Sequence, residues 1–154
     1  MGLFQSGSRK DQVLRNVKRA LAESDLKFED KDGVIVLSAM GDDLPIGMVI
    51  TADDDNVTLN IYCFLMFDVP ADARAKLIPE LNIINNTINN GAFYMDKDEP
   101  KIYFKIIQSY MDGAPSVSLV KHLVMVAFKT VDVNDGKLKD LIPAGSLRKD
   151  PMYS

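Results

Sequence analysis

Residues 57–67 read VTLNIYCFLMF, and the way this run alternates decides the fold. Successive side chains of a strand point to opposite faces. One face of this run holds Val57, Leu59, Ile61, Cys63, Leu65 and Phe67, all apolar. The other holds Thr58, Asn60, Tyr62, Phe64 and Met66, polar at first and apolar later. A strand with one solvated face alternates throughout. This run therefore buries one face and offers apolar side chains on the second. Residues 101–110, KIYFKIIQSY, behave similarly. Ile102, Phe104 and Ile106 share one face, and Tyr103, Lys105 and Ile107 the other. Tyr62, Phe64, Met66, Tyr103 and Ile107 thus make a second apolar patch beyond the core. Either the second helix of the chain covers it or it is a binding face for another protein, since large exposed apolar patches mark partner sites.

Working outward, the run Val34–Met40 and the run Pro45–Ala52 read as two earlier strands. Short turns at Asp30-Lys31-Asp32-Gly33, Asp42–Asp43 and Asp53-Asp54-Asp55-Asn56 separate them. Three strands joined by short turns indicate an antiparallel meander. Before them, Val13, Leu14, Val17, Ala20 and Leu21 recur at helical spacing, predicting a helix over Gln12–Glu23 capped by Ser8 or Asp11. After them, Pro70–Asn90 reads as a second helix, either bent at Pro79 or starting nearer to it, and stopped by Gly91. A hairpin follows, Ala92–Lys97 and Lys101–Tyr110. A last helix starts at Ser116 or Ser118, runs to about Val131 and resumes over 136–141. The expected fold is α+β, in the order α-β-β-β-α-β-β-α, with helices packed on an antiparallel sheet. The expected organisation is a flexible leader at 1–9, one domain at 10–141 and a loose tail at 142–154.

Two helical segments suggest an interface. In LNIINNTINN, residues 81–90, Asn82, Asn85, Asn86, Asn89 and Asn90 fall in one stripe at about 100° per residue. Asn is a poor helix former because its side chain competes for backbone groups. Either this is a solvated, fraying end or a partner stabilises it. In the last helix, Leu119, Val120, Leu123, Val124, Val126, Ala127, Phe128 and Val131 cover more than half the circumference. Such a helix is buried on several sides, within the domain or against a second copy. Candidate interface residues are Asn82, Asn85, Asn86, Asn89, Leu119, Leu123 and Val126.

Composition removes much chemistry. The chain has 154 residues and a net charge of -4, with 18 Lys+Arg against 22 Asp+Glu. No basic cluster stands free of acidic neighbours, so no nucleic-acid partner is expected. One Cys and one His exclude multi-Cys zinc patterns and HExxH. Cys63 lies on the apolar strand face, where a thiol is inert. His122 has no evident base, nucleophile or orienting group beside it. Asp132-Val133-Asn134-Asp135-Gly136 looks like a calcium loop, but its glycine is at the fifth position and no Glu closes it. No catalytic residue, cofactor or metal is expected, and no apolar run is long enough to span a membrane. The N-terminus has no apolar core of an export signal, so a cytoplasmic location is expected.

The stretch LNIINNTINNGAFYMDKDEPKIYFKIIQSYMDG at 81–113, followed by a helix near Ser116, resembles the YbjN-like bacterial domains. Their pattern is a helix ending in Leu-Asn, a Gly-x-Phe strand, an acidic turn, an aromatic strand and a final helix. Here these positions are Leu81, Asn82, Asn89, Gly91, Phe93, Asp96–Glu99, Tyr103 and Phe104. The resemblance covers roughly Gln12–Leu141 and implies a type III secretion chaperone-like fold, often dimeric and without known catalytic residues. It implies a stress or sensory regulator acting through protein contacts, or a chaperone holding a secreted effector. An enzyme with an unrecognised site, using His122 and the Asp clusters, is the remaining alternative. A homodimer binding another protein, without nucleic acid or membrane, is the expectation carried forward.

Overall fold

The computed structural model describes residues 2–142, with side chains from Arg9 onward. Helix α1 spans Gly2–Glu23, so its backbone takes in most of the expected leader. Val13, Leu14, Val17, Ala20 and Leu21 are all buried on its inner face, as their spacing predicts. The strands are β1 (Glu29–Lys31), β2 (Val34–Met40), β3 (Pro45–Asp53), β4 (Thr58–Leu65), β5 (Ala92–Met95) and β6 (Ile102–Ser109). They form one antiparallel sheet in the order β1-β2-β3-β4-β6-β5. Helix α2 (Ala71–Asn85) carries the chain from β4 to the outer strand β5, and helix α3 (Val117–Asp140) closes the domain. The fold is the α+β arrangement expected, with one strand more. Asp32 and Gly33 take φ of 54° and 87° and close a two-residue turn that pairs Lys31 with Val34. That geometry suits Asp-Gly and fits the twist of a hairpin. Strand β1 is exposed at every residue, so no apolar alternation announces it.

One core holds the inward side chains of all three helices and one sheet face. Ile35, Ile46, Met48, Ile50, Leu59, Ile61, Cys63, Leu65, Phe104 and Ile106 line that face. Phe93 and Phe104 meet there with ring centroids 4.9 Å apart. Ile142, the first residue of the expected tail, also packs into the core. The rest of that tail, 143–154, lies outside the described residues.

Helix α2 corrects one expectation. It runs through Pro79 but ends at Asn85, so Asn89 and Asn90 are not helical and the five-Asn stripe does not form. The cause is local. Asn86 Nδ2 donates to the Asn82 carbonyl at 2.9 Å, and Thr87 Oγ1 donates to the Ile84 carbonyl at 2.7 Å. Thr87 thereby occupies the Ile84 carbonyl, which the N–H of the next helical residue would use, and Asn86 adds a second donor to a carbonyl that its own N–H already bonds. Asn85 does something else. Its Nδ2 donates to the Phe93 carbonyl at 2.9 Å, and its Oδ1 accepts the Phe93 N–H at 2.7 Å. Strand β5 is an edge, and Asn85 satisfies it as a neighbouring strand would.

Helix α3 corrects another. Ser116 caps it, its Oγ accepting the Leu119 N–H at 3.0 Å. The helix does not break after Val131; it continues to Asp140 through the calcium-like stretch. Its inner face simply goes on, with Val131, Asn134, Asp135 and Leu138 all buried. Gly136 lets the β2–β3 loop approach closely, since a Cβ there would sit 2.8 Å from an Asp43 carboxylate oxygen. Asp132 Oδ1 accepts the Asp42 N–H at 2.7 Å. Asp135 is 1% exposed, and among the described residues neither of its oxygens has a hydrogen-bond partner. Burial pushes its carboxyl up to about 6, and the charges of Asp132 and Asp43 add to the rise.

Three outcomes follow from this packing. Phe104→Ala should cost about 3–5 kcal/mol, and a denaturation midpoint left unchanged would place the ring outside the core. Asn85→Ala strands the N–H and C=O of Phe93 and should cost about 1–3 kcal/mol, whereas exposed Asn82→Ala should stay within about 0.5 kcal/mol. Asp135 keeps its proton in the folded chain where the unfolded chain has lost it. Its contribution is therefore present below the ordinary value of 3.8 and disappears as pH rises through about 6. Asp135→Asn should stabilise by about 1–3 kcal/mol at pH ~7 and by nearly nothing at pH ~4, read from thermal melts at both values.

Candidate functional site: the open face of the sheet

Among the described residues, all three helices contribute to the core on one side of the sheet, and none covers the side chains of the other. That side is built by register. In one row Ser38 pairs with Gly47, Gly47 with Phe64, Phe64 with Tyr103 and Tyr103 with Tyr94. In the next, Val36 pairs with Val49, Val49 with Tyr62, Tyr62 with Lys105 and Lys105 with Ala92. A third joins Thr51, Asn60 and Ile107. Cross-strand neighbours lie about 4.5–5.5 Å apart at Cβ, so each row is a continuous surface.

The aromatic rings are held in place. The Phe64 ring lies over Gly47, where any Cβ would collide with it. A glycine inside a strand often marks such a close approach. Tyr94 and Tyr103 stack with centroids 5.5 Å apart and planes 18° apart. Tyr103 donates its hydroxyl to Glu99 Oε2 at 3.3 Å. Desolvation raises both tyrosine pKa values above the ordinary phenol range, and neighbouring acidic groups add to the shift. Lys105 Nζ sits 5.8 Å from the Tyr62 centroid and 5.7 Å from the Tyr94 centroid, within cation–π range of both. Asn60, the one buried side chain of these rows, donates to Thr51 Oγ1 at 3.5 Å.

The five residues read from sequence as a binding face have distinct fates. Tyr62, Phe64 and Tyr103 lie half-buried on the open side, and Ile107 is 52% exposed there. Met66 falls just past β4 and is exposed. Of the two readings of this patch, coverage by α2 is the one the packing does not bear out. Helix α2 buries Ala73, Leu77 and Leu81 and lies against β5. The sequence reading missed Tyr94 and the role of Lys105. Phe93 and Tyr94 sit on opposite faces of β5, a two-residue alternation too short to weigh alone. Lys105 is on the face the sequence assigns to it, but the two rings beside its ammonium come from other strands and leave no local signal.

The candidate interface residues do not form one surface. Asn85 is engaged with Phe93, and Leu123 is buried in the core, where no partner reaches it. Asn82, Asn86 and Asn89 are exposed around the end of α2, while Leu119 is exposed and Val126 half-buried on α3. His122 is exposed on α3. Burial pushes the Cys63 thiol up to about 12, so it carries no thiolate at neutral pH. Among the described residues, no group of three His, Cys, Asp or Glu is placed to hold a metal ion. Nor is any helix among them long and apolar enough to cross a membrane.

Known proteins give an independent view. The structure is similar to the crystal structure of YbjN from E. coli, with a TM-score of 0.64 at 17% identity, covering 84% of this chain and 95% of that one. It is also similar to a chain of the ExsC-ExsE complex, with a TM-score of 0.56 at 14% identity, covering 89% of this chain and 98% of that one. These likenesses establish the type III secretion chaperone-like fold. No curated protein matches the chain. The sequence profile of the YbjN family, described as "Putative bacterial sensory transduction regulator", matches residues 14–135, and the chain therefore belongs to the YbjN family.

Proposed function

We propose that this chain is a non-enzymatic regulator that works by holding another protein against the open face of its sheet. The observation that carries this reading is the aromatic surface of Tyr62, Phe64, Tyr94 and Tyr103 on a side that no described helix covers. Aromatic side chains bring large contact area at low entropic cost, and they are enriched where proteins meet. The scarce reactive side chains stand apart, Cys63 buried in the core and His122 exposed on α3, which fits binding better than catalysis. The family description, a sensory regulator, agrees with a role exerted through contacts. The reading includes a cytoplasmic location and a homodimer. Exposed apolar side chains away from the sheet, Leu119 at 36% and Met125 at 58% on α3, could bury against a second copy.

The rival reading is a secretion-type chaperone that keeps an effector partly unfolded. It is favoured by one observation, the similarity to a chain solved as part of the ExsC-ExsE complex. Both readings use the same face and differ in the partner.

The test replaces both Tyr62 and Tyr103 by Asp, which puts charge on the open face without touching the core. Immobilised wild-type chain should retain a defined set of proteins from its host, and the double variant should lose them while still unfolding in one cooperative transition. Capture that survives both substitutions would move the binding surface elsewhere and sink this reading. Sedimentation at micromolar concentration should show a dimer; a strict monomer removes that part alone.

A further inference from the structure

We propose that the open face selects partner segments in which an acidic side chain stands between apolar ones, and that Lys105 is the residue that sets this preference. The inference rests on the reading of the sheet face as a binding surface and goes on to name the chemistry of what binds. Lys105 is central to the face. It stands on β6 between Tyr62 on one neighbouring strand and Ala92 on the other. Its half-buried stem lies along the sheet, and its ammonium rests between the rings of Tyr62 and Tyr94.

Several cations of the domain lie within ion-pair distance of an acid, whereas Lys105, like Lys27 and Lys129, is in no ion pair among the described residues. Lys18 meets Asp30, Arg19 and Lys121 meet Glu23, and Lys101 meets Asp68. No carboxylate of the described residues lies within ion-pair distance of Lys105. An aromatic face attracts an ammonium but does not accept its three N–H donors as an oxygen does. A carboxylate arriving here gains a short charge-assisted hydrogen bond, in a setting already partly cleared of water. The side chains around it, Phe64, Val49 and Ile107, offer contact for apolar neighbours on the incoming segment.

The rim sharpens the preference. Asp96 and Glu99 flank the tyrosine stack, the first accepting the N–H groups of Asp98 and Glu99, the second holding Tyr103. Their negative charge opposes a run of acids along the edge. The net charge of -4 has the opposite sign from that needed for a general attraction of acidic peptides. A preference for acid therefore has to come from this local arrangement.

The probes are three fluorescein-labelled synthetic peptides, Val-Ser-Val-Ser-X-Ser-Val-Ser-Val with Glu, Gln or Lys as X, which put one test side chain between valines on a single face. Binding is read by fluorescence anisotropy at about 0.1 M salt. Wild-type chain should bind the Glu peptide about tenfold more tightly than the Gln peptide, the size expected of one charge-assisted hydrogen bond. Lys105→Met should remove that difference, and Lys105→Glu should turn it towards the Lys peptide, both at unchanged melting temperature. Equal binding of the Glu and Gln peptides, or a preference that survives Lys105→Met, overturns the role given to Lys105. If those peptides still lose binding on Tyr62→Asp with Tyr103→Asp, the binding face itself stands. If no peptide binds, or binding ignores the two tyrosines, the face and the Lys105 inference fall together.

Discussion

Strand β4 is paired on both sides along its length, and most of the molecule follows from its register. It matches β3 from Ile46↔Leu65 to Asp53↔Thr58 and β6 from Thr58↔Ser109 to Phe64↔Tyr103. A slip of one residue on either side would send Ile61, Cys63 and Leu65 outward and bring Tyr62 and Phe64 against the helices. The register thus fixes which aromatic rings remain outside. It also explains why a domain with three helices leaves a sheet face uncovered. All three are committed to the same core, which already holds the aliphatic side of every long strand.

Stiffness on the open side is borrowed from the buried one. The rows of Tyr62, Phe64 and Tyr103 ride on strands whose opposite side chains are wholly enclosed. Gly47 adds a second restraint by letting the Phe64 ring lie flat on the backbone. A surface fixed in this way loses little further freedom when something binds to it, which reduces the entropic cost of association. The scarce reactive side chains play no part in it. Cys63 faces the core and His122 lies on α3, so the open face carries neither; its rows hold rings, aliphatic side chains, the Lys105 ammonium and the polar Ser38, Thr51 and Asn60.

The long strands, the two-sided character of β4 and β6, and the Ser116 cap were legible because each rests on local alternation or on one side chain's reach. The legible part of the site was Tyr62, Phe64, Tyr103 and Ile107, whose faces follow from counting. What escaped depended on contacts distant in sequence. Strand β1 has no apolar face to reveal it and exists because Asp32-Gly33 turns it back onto β2. Helix α3 was expected to break at Asp132–Gly136, a stretch that resembles a turn in composition. It stays helical because Asn134, Asp135 and Leu138 keep its inner face buried and Gly136 makes room for Asp43. Tyr94 reaches the aromatic cluster only through the pairing of β5 with β6, and Lys105 acquires its meaning from two rings on different strands.

The two hydrogen bonds from Asn85 to Phe93 link events that sequence distance would keep apart. The Phe93 amide points away from the sheet, and its protection from solvent deuterium depends on a side chain at the end of α2. Its exchange is therefore timed by the fraying of that last turn and not by the opening of the strands. Phe93 and Tyr94 are adjacent, so a disturbance at the end of α2 reaches the aromatic stack through one peptide bond. The outer strand behaves as part of the helix's cooperative unit as much as of the sheet's.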